Sequence, residues 1–125
     1  MKKIFLVCPV RNIDVETRIA IEMYVKSLEG KGYQVHWPVR ATEQKDQTGG
    51  YQICRTNFKA ILESDQVHIW YVEDSSGSKF DIGGLFMLVE ILGYRKDIFI
   101  VNKQEAETLD TGEKSFLKVI KYIAG

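Results

Sequence analysis

The chain has 125 residues, 45% of them apolar, and its 17 Lys and Arg residues balance its 17 Asp and Glu residues. This length and composition are typical of one domain with one buried core. With no net charge, the chain has no overall field that would attract a nucleic acid polymer or an anionic membrane. We therefore expect a single domain over residues 1–125, with neither nucleic acid nor membrane as its partner.

The short apolar runs and the spacing of the cysteines indicate the cellular compartment in which we expect the protein. Runs such as residues 4–7 and 98–101 are far shorter than the ~20 residues that span a bilayer, and the first residues lack a signal-peptide pattern. Cys8 and Cys54 show no Cys-x-x-Cys or Cys/His spacing, which argues against a disulfide scaffold and a zinc site. We expect a cytoplasmic protein with two reduced thiols and neither a metal nor a cofactor.

The first part of the chain alternates between strand and helix patterns. Residues 3–10 (KIFLVCPV) are a continuous apolar run, typical of a strand buried on both faces of a parallel sheet. Residues 14–28 have the spacing of an amphipathic helix, and residues 34–38 are short and β-prone. The polar residues 40–50 have no periodicity, so they predict a mobile loop.

The second part of the chain repeats the alternation. Residues 51–62 have helical spacing and lead into the strand pattern of residues 66–72 (QVHIWYV). Residues 97–102 (DIFIVN) predict a last strand, and residues 111–123 predict an amphipathic helix. Such β/α alternation indicates parallel strands joined by right-handed helical crossovers.

A capping turn precedes an apolar helix between the last two strands. Residues 73–78 (EDSSGS) are rich in helix-capping side chains, and residues 80–92 predict a helix that starts close to Ser78. Gly83 and Gly84 interrupt its first turns. Since glycine costs ~1 kcal/mol inside a helix, this pair indicates a close backbone approach.

These elements predict an α/β fold of the flavodoxin-like or Rossmann-like kind. It is a three-layer sandwich with one parallel sheet in strand order 2-1-3-4 and helices on both faces. The predicted strands lie near residues 3–9, 34–38, 66–72 and 97–102. Such sheets bind ligands at the carboxyl ends of their strands. We therefore expect the site residues in the segments that follow the predicted strands.

Arg11 follows the first predicted strand. The chain has no Gly-x-Gly-x-x-Gly after that strand and no Walker loop. Their absence argues against ordinary dinucleotide binding and ordinary phosphoryl transfer. The forked, permanently charged guanidinium of Arg11 suits a phosphate or a carboxylate. The alternative interpretation is an ordinary surface arginine.

Residues 75–78 and Asp81 follow the third predicted strand. Hydroxyl groups and backbone N–H groups at a helix start offer an anion site, and Asp81 would lie one turn inside the helix, facing the same cleft. A plain capping loop explains the serines equally well. It explains Asp81 followed by two glycines less well.

Three segments together resemble the nucleoside 2-deoxyribosyltransferase family. SSGSKFDIGGL is similar to the family signature, in which a Ser/Asp- and Gly-containing loop is followed by Glu-Leu-Gly-x-Ala. KIFLVCPVRN resembles the family's first strand and loop, and ICRTNFKAILESDQVHIWYV resembles its helix before the third strand. The resemblance covers roughly residues 3–102 and implies cleavage or transfer at an N-glycosidic bond, without a cofactor.

The resemblance assigns roles to individual residues. One branch of the family acts on 2'-deoxynucleoside 5'-monophosphates and holds the phosphate with an arginine and a serine, which match Arg11 and Ser75. Gly77 and Ser78 belong to the same substrate-binding loop. The family's nucleophilic glutamate matches Asp81, which keeps the carboxylate on a side chain shorter by one methylene.

Two positions depart from the family pattern. A family carboxylate that orients the base or donates a proton matches Asn57, and a first-strand tyrosine of the substrate site matches Phe5. Asn57 cannot act as an acid, although its amide can hydrogen-bond a base or a ribose hydroxyl. Losing a proton donor typically costs roughly 10²–10⁴-fold in rate. Glu73 and Asp74 are candidate substitutes for the missing carboxylate, or they simply solvate the loop.

The remaining candidates carry weaker signals. Trp37, at the end of the second predicted strand, would stack on a base or belong to the core. His36 and His68 alternate with apolar residues, which is more typical of packed or hydrogen-bonded side chains than of catalysts. Residues 80–92 carry more apolar surface than one sheet face can cover, so we expect a homodimer.

Three functions remain open from the sequence. The first is an N-glycosidase or deoxyribosyltransferase that acts on a nucleotide, with catalytic residues Asp81 and Asn57. The second is a nucleotide- or ribosyl-metabolite-binding module that kept the pocket and lost turnover. The third is an interaction domain without a small ligand. Asp81 favours the first function, whereas Asn57 and Phe5 favour the second.

Overall fold

The structure is a computed structural model that describes residues 2–108 and 113–124. It contains one four-stranded sheet in which every neighbouring pair is parallel. The strands are β1 (Lys3–Val7), β2 (Gln34–His36), β3 (Gln66–Ile69) and β4 (Asp97–Ile100). Their spatial order is β2-β1-β3-β4, which confirms the predicted order. Each strand is two or three residues shorter than predicted at its carboxyl end.

Helices connect the strands. They are α1 (Val15–Gly30), α2 (Pro38–Ala41), α3 (Tyr51–Glu63), α4 (Ser76–Phe86), α5 (Lys103–Glu107) and α6 (Phe116–Ile123). A π-helical turn, Met87–Ile91, continues α4. The predicted last helix starts later than expected, at Phe116, and residues 111 and 112 of that prediction lie outside the described residues. In the described part of the chain, no helix has both the length and the apolar character needed to cross a membrane.

Two apolar cores cover the two faces of the sheet. Alternate residues of β1 point to opposite faces, so Ile4 and Leu6 join one core while Phe5 and Val7 join the other. Helix α1 covers the first face with its buried residues. Helices α3, α4 and α6 supply the second core. The three-layer α/β architecture is therefore as predicted.

The segment predicted as a mobile loop is organised by hydrogen bonds. Residues 38–41 form helix α2, and Asp46 then caps the distant start of α3. The Asp46 carboxylate accepts hydrogen bonds from the backbone N–H groups of Thr48 (2.7 Å) and Ile53 (3.0 Å). These bonds, with that from the Thr48 hydroxyl foremost, lower the pKa of Asp46 to about 2. The N-cap residue of α3, Gly50, has no side chain for this role, so the loop supplies it.

The glycine pair in α4 serves the packing of two helices. A methyl group added at Gly84 would overlap the ring of Phe58 on α3, with Cζ only 2.6 Å away. A methyl group at Gly83 would meet nothing within 4 Å. The close approach that the sequence indicated is therefore between α4 and α3, at the second glycine alone.

We predict opposite effects for alanine at these two positions. Gly84→Ala should lower the free energy of unfolding by about 1–3 kcal/mol, because the Phe58 ring must move out of a packed position. Gly83→Ala should raise it by about 0.5–1 kcal/mol, because alanine favours the helix and meets no neighbour. Urea unfolding of both variants measures this, and equal changes in the two would contradict the packing role of Gly84.

Candidate functional site

A cleft with a volume of about 810 Å³ opens at the carboxyl edge of the sheet. Three segments surround it: the loop after β1, the loop before α3, and the turn between β3 and α4. Among the predicted site residues, those that line it are Arg11, Asn57, Ser75, Gly77, Ser78 and Asp81. The fold thus brings six of the eight predicted site residues to one cavity.

Arg11 lies in the loop between β1 and α1. It is exposed and makes no hydrogen bond or ion pair to any residue in the described ranges. The next residue, Asn12, has a left-handed backbone conformation with φ of 56°, which asparagine tolerates better than most residues. The guanidinium is therefore available to an anion in the cleft.

Ser75 caps helix α4. Its hydroxyl oxygen accepts a hydrogen bond from the Ser78 backbone N–H at 3.3 Å, and its own hydroxyl donates to Oγ of Ser78 at 2.9 Å. The first N–H groups of a helix have no intrahelical acceptor, so those of Ser76 and Gly77 are left for solvent or for a ligand in the cleft. Here the capping interpretation is correct for the serine side chain, and it is compatible with an anion site made by the backbone.

Asp81 lies one turn further along α4, with 8% of its surface exposed. Within the described ranges, its carboxyl group has no hydrogen-bond or ion-pair partner. Lys79, two residues earlier, is directed to Glu73 instead, at 3.6 Å. Burial alone raises the pKa of Asp81 to about 7. Asp81 is therefore a buried carboxyl group that changes its charge near neutral pH.

The other carboxylates considered from the sequence are less suited to this chemistry. Glu73 is engaged by Lys79 and by the hydroxyl of Tyr71, which donates a hydrogen bond to it at 2.5 Å. Asp74 is exposed at the edge of the cleft. Asp46 also lines the cleft, but its oxygens cap α3.

Asn57 lies on α3 and lines the cleft with 7% of its surface exposed. Its carboxamide oxygen accepts a hydrogen bond from the hydroxyl of Thr42 at 2.7 Å. The Thr42 hydroxyl also lies 3.0 Å from Nε2 of His36. A buried polar chain thus runs from β2 to the cleft, and Asn57 is its last member.

The structure does not bring Phe5 to the cleft. Its side chain is fully buried in the core under α3 and α4, since β1 directs it to that face of the sheet. Its ring stacks on His36 with centroids 5.2 Å apart and an interplanar angle of 14°. Phe5 therefore does not line the cleft, and its link to the site is the contact with His36.

Trp37 is likewise absent from the cleft. It follows His36 in the chain and so points to the opposite face of the sheet, where it packs in the α1 core. Arg40 lies over its ring at 6.0 Å and pairs with Glu29 through two hydrogen bonds of 3.1 Å and 2.9 Å. Of the two alternatives that the sequence leaves open for Trp37, the structure therefore has the second, a core side chain that does not line the cleft.

Sequence reasoning missed Thr42 and the shared position of the two cysteines. Thr42 lies in a polar segment without periodicity, so nothing in the sequence marks it as 5% exposed. Cys8 and Cys54 are free thiols that both line the cleft. Burial raises the pKa of Cys8 to about 12, so this thiol is a neutral part of the wall.

The described residues offer no metal site. Within residues 2–108 and 113–124, no group of three or more His, Cys, Asp and Glu side chains is arranged to hold a metal ion.

Comparisons with protein-family models and with curated proteins found no match to the chain.

We predict that Asp81 makes the folded protein less stable as the pH rises. The unfolded chain releases this proton near the ordinary pKa of 3.8, whereas the folded protein keeps it until about 7. Between these values the folded state binds more protons, so raising the pH favours unfolding. Asp81→Asn should match the wild type near pH 4 and exceed its stability at pH 8 by up to about 4 kcal/mol.

Urea unfolding of both proteins across this pH range measures the difference. Comparing the two cancels the titration of all other groups. A difference that stays constant from pH 4 to pH 8 would show that Asp81 titrates normally.

Proposed function

We propose that the protein cleaves or transfers the N-glycosidic bond of a nucleoside 5'-monophosphate, as the resemblance to nucleoside 2-deoxyribosyltransferases implies. The observation that carries this proposal is the Asp81 carboxyl group, which is buried, unpartnered among the described residues and part of the cleft wall. A polar side chain so buried without a partner is unusual unless a ligand completes its surroundings.

The phosphate would bind at the mouth of the cleft. Arg11 supplies a permanent cation, and the first N–H groups of α4 supply donors with the favourable end of the helix dipole. Parallel pairing of β1 with β3 makes the segments that carry these groups neighbours at one edge of the sheet. The two segments can therefore hold one anion together.

The sugar would lie beside Asp81. As the bond between C1' and the base nitrogen breaks, its electron pair leaves with the base and positive charge develops on the sugar. The ionised Asp81 stabilises that charge or forms a bond to C1', and water or a second base then takes its place. With a pKa of about 7, Asp81 is substantially ionised at neutral pH.

A binding module without turnover is the second candidate function. It is favoured by Asn57, which places an amide where an acid would protonate the leaving base. The two functions share the phosphate site and differ in what Asp81 does.

We predict that binding and turnover depend on different residues. Arg11→Ala should weaken binding of a deoxynucleoside 5'-monophosphate by roughly 1.5–3 kcal/mol, because a charge-assisted hydrogen bond is lost. Arg11→Lys should retain part of that affinity, since it keeps the charge without the fork. Asp81→Asn should keep the phosphate affinity and abolish base release.

Calorimetry measures the affinities, and chromatography of the free base measures release. Unchanged affinity in Arg11→Ala would contradict the phosphate assignment, and release that survives in Asp81→Asn would contradict the role of Asp81. A wild type that binds without releasing base would support the binding module.

We also propose that the protein is a homodimer. Helix α4 and the π-helical turn that continues it expose large apolar side chains, among them Phe80 (60%), Met87 (51%) and Ile91 (65%). Phe80 also lines the cleft. A second subunit on this surface would therefore lie next to the candidate site.

Sedimentation equilibrium tests this proposal. We expect a dimer at tens of micromolar and a monomer for Ile91→Glu, which places a charge on the apolar surface. Met23→Glu is the matched control, because Met23 is equally exposed (66%) on α1, away from this surface. A monomeric wild type would refute the homodimer.

A further inference from the structure

The polar chain of His36, Thr42 and Asn57 fixes the orientation of one amide in the cleft. Thr42 has a single hydroxyl proton, which it donates to the carboxamide oxygen of Asn57 at 2.7 Å. Its hydroxyl oxygen can then only accept from His36, at 3.0 Å. Nε2 of His36 therefore carries a proton.

His36 is suited to this constant donor role. Burial lowers its pKa, the charge of Arg40 lowers it further, and the hydrogen bond with Asn57 opposes them in part, so the balance favours the neutral imidazole. The stacked ring of Phe5 holds the imidazole plane from one side. The donor direction thus runs from β2 toward the cleft.

The amide group of Asn57 faces the cleft. Its oxygen accepts from Thr42, and a further hydrogen bond joins Asn57 to the His36 side chain and raises the His36 pKa, as expected when the imidazole donates to the amide oxygen. The Asn57 Nδ2 donates to no residue within the described ranges. The side chain is more than nine-tenths buried and lines the same cleft as Asp81. The cleft therefore presents two unpartnered polar groups, a carboxyl group and an oriented N–H donor.

We infer that Asn57 donates a hydrogen bond to the acceptor atom next to the glycosidic nitrogen of the base, N3 of a purine or O2 of a pyrimidine. This inference rests on the proposed function. Thr42 and His36 are then positioning residues that keep the donor, rather than the oxygen, toward the base. The substrate class becomes nucleotides whose base carries an acceptor at that atom.

This contact replaces acid catalysis by hydrogen bonding. When the bond from C1' to the base breaks, the electron pair passes to the base and negative charge spreads onto the neighbouring acceptor. The N–H bond to that atom strengthens as the charge develops, without giving up its proton. The base leaves as an anion and takes a proton from water, while C1' is attacked by Asp81 or by water.

The test compares substrates that differ only in the acceptor. 2'-Deoxyadenosine 5'-monophosphate is paired with its 3-deaza analogue, which has C–H in place of N3, and thymidine 5'-monophosphate is paired with its 2-thio analogue, a weaker acceptor. For each protein, the ratio of kcat/KM within a pair is measured. This ratio does not depend on the fraction of folded enzyme, and the intrinsic reactivity of each analogue cancels between proteins.

We expect Asn57→Ala to reduce the wild-type preference for the better acceptor by roughly 10- to 100-fold in at least one pair. Thr42→Val keeps the shape but lacks the hydroxyl, so the amide oxygen loses its Thr42 donor, the amide is held less firmly and the preference should fall several-fold. Thr42→Ser restores the hydroxyl and should restore the preference. The same ratio in the wild type and Asn57→Ala would overturn the inference, and a normal ratio in Thr42→Val would overturn the positioning role.

Failure of the proposed function gives a different result. If the wild type binds these nucleotides without releasing base, the same ratios are measured as Kd, and loss of acceptor preference in Asn57→Ala still supports the contact. If binding shows no acceptor preference, the inference fails while the nucleotide site stands. If no nucleotide of either pair binds, the proposed function and the inference both fail.

Discussion

The cost of ionising the buried Asp81 carboxyl group is the constraint on which this part of the molecule depends. Among the described residues, no cation pairs with this carboxylate and no donor bonds to it, and its raised pKa is the direct consequence of that cost. The placement of Asp81 beside Asn57 depends on how closely α4 approaches α3. Gly84 permits that approach against Phe58, so that Asn57 and Asp81, on neighbouring helices, line one cavity.

The sheet topology places the loop of Arg11 beside the turn that begins α4. Because β1 and β3 are adjacent and parallel, the segments that follow them leave the same edge of the sheet. Asn102 holds the end of β3 in place, since its side chain exchanges hydrogen bonds with the backbone N–H (2.8 Å) and C=O (2.7 Å) of Tyr71. The turn that begins α4 therefore starts from a fixed point, and the loop of Arg11 lies beside it.

The sequence predicts the framework better than the details of the site. Two continuous apolar runs and the alternation of strand and helix patterns predicted all four strands and their order, because strands buried on both faces leave a strong local signal. Thr42 and the capping role of Asp46 left no such signal, since each acts on a residue distant along the chain. Trp37 belongs to the core, one of the two alternatives that its sequence position allowed, because neighbouring residues point to opposite faces of the sheet and His36 takes the other face.

The charge of Asp81 bears on the choice between an enzyme and a binding module. An ionised carboxylate offers no attraction to an anionic ligand in its ground state, so a protein that only bound a nucleotide would have no use for it, and an amide such as that of Asn57 would avoid the cost of ionisation. A carboxylate is favourable when positive charge develops on the sugar, which happens only as the glycosidic bond breaks. In the proposed reaction, Asp81 would thus contribute to the transition state and not to the ground state, and this difference is the physical reason why we propose an enzyme rather than a binding module.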